Sequence, residues 1–134
     1  GPARGGGVEL ALACDIRVAT PEATFAETGV ALGLFGAWGG THRLPAIVGL
    51  GDALDISLSG RTLDATEAHR IGLVQRIVGD PLETARSIAD NDVGALRTIK
   101  TRLRARERPE TQEAAERESF ARLLSASDVG EFDG

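Results

Sequence analysis

The chain has one cysteine, Cys14, and no methionine among its 134 residues. A lone thiol allows no intrachain disulfide, so a reducing compartment, the cytoplasm, is the expected location. No stretch approaches the ~18 apolar residues of a membrane-spanning helix, and the N-terminus lacks the basic and apolar regions of a signal peptide. The net charge of −5 and a pI near 5.0 argue against general affinity for nucleic acid or an anionic membrane. There is no internal repeat. No G-x-G-x-x-G follows a strand and no Gly-Lys-Ser/Thr closes a loop, so the dinucleotide and P-loop fingerprints are missing too. A chain that lacks methionine and opens directly in glycine-rich material is expected to be part of a longer protein. With 42% hydrophobic residues it can bury one core, which implies one domain or part of one.

What the sequence does have is concentrated at its start. Gly5, Gly6 and Gly7 run into Val8-Glu9-Leu-Ala-Leu-Ala-Cys14-Asp15, which reads as a loop feeding a short helix from Val8 to about Cys14. The first N–H groups of such a helix have no partner inside it, and glycine lets a ligand approach the main chain. A carboxylate at Glu9 among apolar neighbours is costly to bury without a partner. Two readings stand: an oxyanion site with an acid–base group, or a tightly packed turn whose first-turn Glu is favoured by the helix dipole. Cys14, in an apolar context, is expected to be packed and inert. Asp15 reads as a local backbone hydrogen-bonding residue.

Ile16–Ala19 and Thr24–Glu27 read as strands, with Phe25 and Glu27 on one face. Glycines at 29, 33, 36, 39 and 40, interleaved with Val30, Leu32, Leu34, Phe35 and Trp38, suit an irregular apolar loop that walls a pocket. Helices are predicted over Thr41–Val48, with Pro45 imposing a late start or a kink, and over Asp52–Leu58 with Gly60 as C-cap. Asp64-Ala-Thr-Glu67 is a capping box for a helix that Gly72 stops, and Leu73–Val78 reads as the clearest strand. Beyond Pro81 the pattern is helical, over Leu82–Ala89, Val93–Arg106 and Glu110–Ser125. The basic run Arg97, Lys100, Arg102, Arg104, Arg106, Arg108 has no interleaved aromatics and precedes a set of acids, which marks a solvated helix face. His42 and His69 read as structural or exposed.

Taken in order, Gly5-Gly6-Gly7-x-Glu9-Leu-Ala-Leu-Ala-Cys-Asp15, Phe25, Gly33, Trp38-Gly-Gly-Thr41-x-Arg43-Leu44-Pro45, Val48-Gly49, Leu58-Ser-Gly60-Arg61, Ala65-x-Glu67-Ala68 and Gly72-Leu73-Val74 resemble the enoyl-CoA hydratase/isomerase (crotonase) family. The likeness is strongest over Gly1–Val78, weaker to about Asp128, and corresponds to roughly the second half of a family member. It implies an α/β (α+β) fold: residues 1–78 as part of a spiral of short strands and helices, and residues 79–134 as a helical region for oligomerisation. It also implies acyl-CoA thioesters as substrates, a homotrimer or dimer of trimers, no metal, and no cofactor apart from the coenzyme A of the substrate.

The resemblance assigns roles as well. Two backbone N–H groups bind the thioester oxygen as an enolate-like charge builds; the second maps onto Gly6, and the first belongs to a motif upstream of Gly1. Glu9 maps onto one of the two glutamates that handle water and the α-proton in the hydratases. The other falls on Gly29, which has no side chain. Glu27 lies two residues away, ~7 Å along a strand, and is expected to be a solvated edge residue rather than a replacement. Gly5, Thr28, Gly29 and Gly36 are the expected substrate contacts by position. The implied reaction is hydration of a 2-enoyl-CoA or the reverse, the alternatives being isomerisation or other enolate chemistry, or a non-catalytic fragment that only oligomerises or binds a partner.

Overall fold

The computed structural model describes residues 1–126. The elements are β1 (Pro2–Arg4), α1 (Gly6–Ala13), β2 (Val18–Ala19), β3 (Thr24–Ala26), a 3-10 turn (Thr28–Leu32), α2 (Gly40–Val48), α3 (Leu50–Ser59), β4 (Leu63–Asp64), α4 (Ala65–Arg70), β5 (Arg76–Ile77), α5 (Pro81–Ala89), α6 (Val93–Ala105) and α7 (Pro109–Ala126). The fold is α+β. It divides into two compact units, one from Gly1 to Leu82 and one from Glu83 onward. The resemblance was traced to Asp128, which lies outside the described residues.

In the first unit β1 and β3 are parallel, with Pro2 opposite Thr24, Ala3 opposite Phe25 and Arg4 opposite Ala26. β4 adds antiparallel to β3, Leu63 facing Phe25, and β2 pairs with β5 in a separate parallel pair. Parallel neighbours need a crossover, and α1 lies on the one between β1 and β3. The ladder continues one step past β1, because the Gly5 N–H donates to the Ala26 carbonyl at 2.9 Å. The glycine run and the residues after β3 are therefore side by side at the ends of two parallel strands.

The core is built from Val8 and Leu12 of α1, Leu44 of α2, Ile56 of α3, Leu63 of β4 and the buried Leu73. Each such side chain contributes ~1.5–3 kcal/mol on burial, so this cluster fixes α1 against β3 and α2 more firmly than the two- and three-residue strands could. The Asp64 cap forms as expected: its Oδ1 accepts from the Glu67 N–H at 2.7 Å. The Glu67 carboxylate itself accepts two bonds from Arg61 at 2.9 and 2.7 Å.

Four local readings change. The segment opening the chain is a strand, β1, rather than loop alone, and α1 starts at Gly6. Of Leu73–Val78 only Arg76–Ile77 pairs, because the Leu73 and Val74 N–H groups turn back to the Ala68 carbonyl at 2.8 and 3.2 Å to close α4. The stretch from Thr28 begins as a 3-10 turn before becoming irregular. Cys14 is exposed rather than packed. It shares a helix face, at i and i+4, with Leu10, which is also exposed, so an apolar neighbourhood in sequence did not mean burial. His42 and His69 are exposed.

In the second unit Asp92 caps α6 by accepting from the Ala95 N–H at 2.7 Å. α7 is tied to α6 where the Gln112 side-chain amide donates to the Arg102 carbonyl at 2.7 Å. Arg97, Lys100 and Arg104 lie on exposed positions of α6, as a solvated face requires.

Candidate active site

Glu9 sits in the first turn of α1 and is buried, at 4% exposure. Its carboxylate is not left unpaired. Oε1 accepts from the Trp38 N–H at 2.8 Å and from the Gly40 N–H at 2.9 Å, so the start of α2 and the residue two before it supply the desolvated oxygen with donors. These donors can approach only because two glycines make room. A Cβ at Gly36 or at Gly40 would stand 2.7 Å from Glu9 Oε1. Gly36 and Gly40 of the apolar loop are thus not part of a flexible tether. They form a socket for one carboxylate. Arg43 fastens that socket from outside by donating to the Trp38 carbonyl at 2.9 Å.

Gly5, with φ of 46°, adopts a conformation that favours glycine and turns the chain from β1 into α1. Gly6 follows as the first residue of α1, where its N–H has no partner in the helix. The Trp38 ring packs over Gly6: a Cβ there would come within 2.8 Å of the indole. Thr28 is near Gly5, its Oγ1 3.8 Å from where a Gly5 Cβ would be.

Gly29 is not an empty slot for a missing side chain. A Cβ at Gly29 would meet the Leu34 carbonyl oxygen at 2.9 Å and its carbon at 3.1 Å, so main chain already occupies that space. Glu27, in contrast, corrects the expectation of a solvated edge residue. It lies just past β3 rather than in it, is 7% exposed, and borders a cavity of about 60 Å³ with Gly29, Gly36, Gly40 and Leu44. Its Oε1 is buried with no hydrogen-bond partner among the described residues. Burial first, and the nearby Glu9 carboxylate second, together push the Glu27 carboxyl up to about 7. Glu27 is buried as Phe25 is, so the shared face inferred from the two-residue period is compatible with its position and only the expectation of solvation is overturned.

The expected site residues therefore converge in part. Gly29, Gly36 and Glu27 line one cavity, which Glu9 adjoins through Gly36 and Gly40, while Gly5, Gly6 and Thr28 lie together at the mouth of α1. The backbone N–H groups of Trp38 and Gly40 were missed. The signal for them was the Trp38-Gly39-Gly40 run, which reads as loop chemistry until its partner is known. Among the described residues no group of His, Cys, Asp and Glu has the arrangement of a metal site.

The sequence profile of the enoyl-CoA hydratase/isomerase family matches residues 1–131. The chain belongs to this family. A probable enoyl-CoA hydratase of Mycobacterium tuberculosis is 45% identical over 91 residues, which is 66% of this chain and 35% of that protein. The short-chain-enoyl-CoA hydratase of Clostridium acetobutylicum is 42% identical over 95 residues, 69% of this chain and 36% of that one. Among solved structures, Pseudomonas aeruginosa DspI superposes with a TM-score of 0.84 at 43% identity, covering 98% of this chain and 53% of that one. A putative enoyl-CoA hydratase of Thermobifida fusca, solved in complex with CoA, gives a TM-score of 0.81 at 35% identity and covers 94% and 52%. The chain thus spans about half the length of these family structures and about a third of these two hydratases.

Proposed function

We propose that the protein acts on acyl-CoA thioesters through an enolate-like intermediate, in its simplest form adding water to a 2-enoyl-CoA or removing it from a 3-hydroxyacyl-CoA. The observation that carries this reading is the socketed Glu9. A buried carboxylate oriented by two main-chain donors on one oxygen has its other oxygen left for a reactant. The Gly6 N–H, at the positive end of α1, is the donor for the thioester oxygen as negative charge develops there. Gly5 and Thr28 border that oxygen's approach, and Gly36 keeps Glu9 in place. Catalysis in this reading needs no metal and no cofactor beyond the coenzyme A of the substrate, and the working form is a homotrimer or a dimer of trimers.

Glu9→Gln keeps the size of the side chain while removing its basicity. Turnover of a 2-enoyl-CoA should fall ~100-fold or more with KM nearly unchanged. Unchanged turnover would remove Glu9 from the mechanism. Isomerisation is the second reading, favoured by the occupied space at Gly29, since shifting a double bond requires only one acid–base group. Product analysis with 2-enoyl and 3-enoyl thioesters separates the two, because a 3-hydroxyacyl product is incompatible with pure isomerisation.

A further inference from the structure

Two carboxyls lie near one another here: Glu27 borders the cavity, and Glu9 touches two of the glycines that line it, Gly36 and Gly40. Glu9 Oε1 is satisfied by the Trp38 and Gly40 N–H groups. Glu27 Oε1 is buried without a partner among the described residues, on a cavity wall shared with Gly36 and Gly40, the same glycines that touch Glu9. A buried, unpartnered carboxyl is costly in its charged form, so such a group either holds its proton or awaits something that hydrogen-bonds to it. Position 29 offers no alternative, since the Leu34 carbonyl lies 2.9 Å from where its Cβ would be.

We propose that Glu27 is the second acid–base residue of the site, exchanging the proton at the thioester α-carbon while Glu9 handles water. This rests on the acyl-CoA reading above. In the hydration direction the Glu9 carboxylate takes a proton from water, whose oxygen bonds to the β-carbon as the alkene π pair moves into the thioester to form the enolate. Protonated Glu27 then delivers its proton to the α-carbon and the carbonyl re-forms. The product is the 3-hydroxyacyl thioester, and the proton on Glu9 returns to Glu27 through solvent, so the site is restored with one water consumed. The division of labour has a physical basis: one carboxylate is supplied with donors, and its neighbour is desolvated and repelled by it, so the two environments diverge.

The test compares wild type, Glu27→Gln and Glu9→Gln of the protein with a short-chain 2-enoyl-CoA, reading kcat, KM and the pH profile. Alongside, it reads deuterium exchange at the α-carbon of a saturated acyl-CoA. Glu27→Gln is expected to lower kcat and α-exchange by ~100-fold or more with KM within about threefold. Infrared difference titration should show a protonated carboxyl band in wild type that titrates near 7, disappears in Glu27→Gln, and titrates at lower pH in Glu9→Gln, where the neighbouring charge is gone. That titration reads the wild type and Glu9→Gln even if Glu27→Gln does not fold. Full kcat and α-exchange in folded Glu27→Gln, with Glu9→Gln impaired, overturns the role of Glu27 and leaves the acyl-CoA reading standing. A wild type in which no carboxyl band titrates above the ordinary carboxylate range also overturns it, because Glu27 would then hold no proton to deliver. Wild type that neither turns over enoyl thioesters nor exchanges α-protons overturns both.

Discussion

A desolvated glutamate beside another carboxylate should leave its mark on stability before any substrate is added. The Glu27 carboxyl is raised from 4.5 to about 7 by burial and by Glu9. Below pH 4.5 Glu27 is protonated in both folded and unfolded chains and costs nothing. As pH rises from 4.5 towards 7 the unfolded chain releases the proton while the folded one keeps it, so stability falls through this window; above 7 the folded state releases it too and the loss levels off. The rise from 4.5 to about 7 corresponds to roughly 3 kcal/mol, or about 2 kcal/mol once discounted for solvent screening. Glu27→Gln has almost the same shape and no ionisation. Urea denaturation followed by circular dichroism should show the variant gaining about 2 kcal/mol on wild type between about pH 4.5 and pH 8, with most of the gain before neutrality. Parallel stability curves for the two proteins would refute the reasoning, because they would mean that Glu27 titrates alike in folded and unfolded chains. A gain confined to acid pH would contradict its sign.

Two further substitutions probe the socket. Gly36→Ala places a Cβ 2.7 Å from Glu9 Oε1, so it should displace the carboxylate, lowering stability by ~1–3 kcal/mol and turnover ~10–100-fold, measured by denaturation and by steady-state assay. Gly29→Glu, which puts a carboxylate where the hydratases of the family carry one, should not raise hydration and should cost ~1–3 kcal/mol, since its Cβ meets the Leu34 carbonyl at 2.9 Å. Increased hydration by that variant would mean that the loop readily yields the space.

The helical parts of the chain were readable because their signals are local. The Asp64 cap and the Gly60 C-cap with φ of 63° are each set by a few adjacent residues. The strands were not, because pairs of two or three residues are defined by partners far away in sequence: Val18 and Ala19 find Arg76 and Ile77, and Pro2 finds Thr24. For the same reason Glu9 was legible as an awkward carboxylate while its donors, at Trp38 and Gly40, were not. Glu27 shows most clearly how burial depends on distant chain. An acid at the end of a strand reads as solvated, whereas this one borders a cavity with the loop residues Gly29, Leu34 and Gly36, an arrangement that no alternation pattern encodes. The family likeness, resting on several motifs in order, reached the site where single motifs stopped.

The central claim is that Glu9, held by two main-chain N–H groups, activates water for addition to an enoyl thioester. Incubating the protein with a 2-enoyl-CoA in oxygen-18-labelled water and analysing the thioester by mass spectrometry tests it most directly. Wild type should give a 3-hydroxyacyl-CoA carrying the label on its β-carbon, and folded Glu9→Gln should give it ~100-fold more slowly or not at all. Labelled product forming at the wild-type rate in Glu9→Gln would contradict the account.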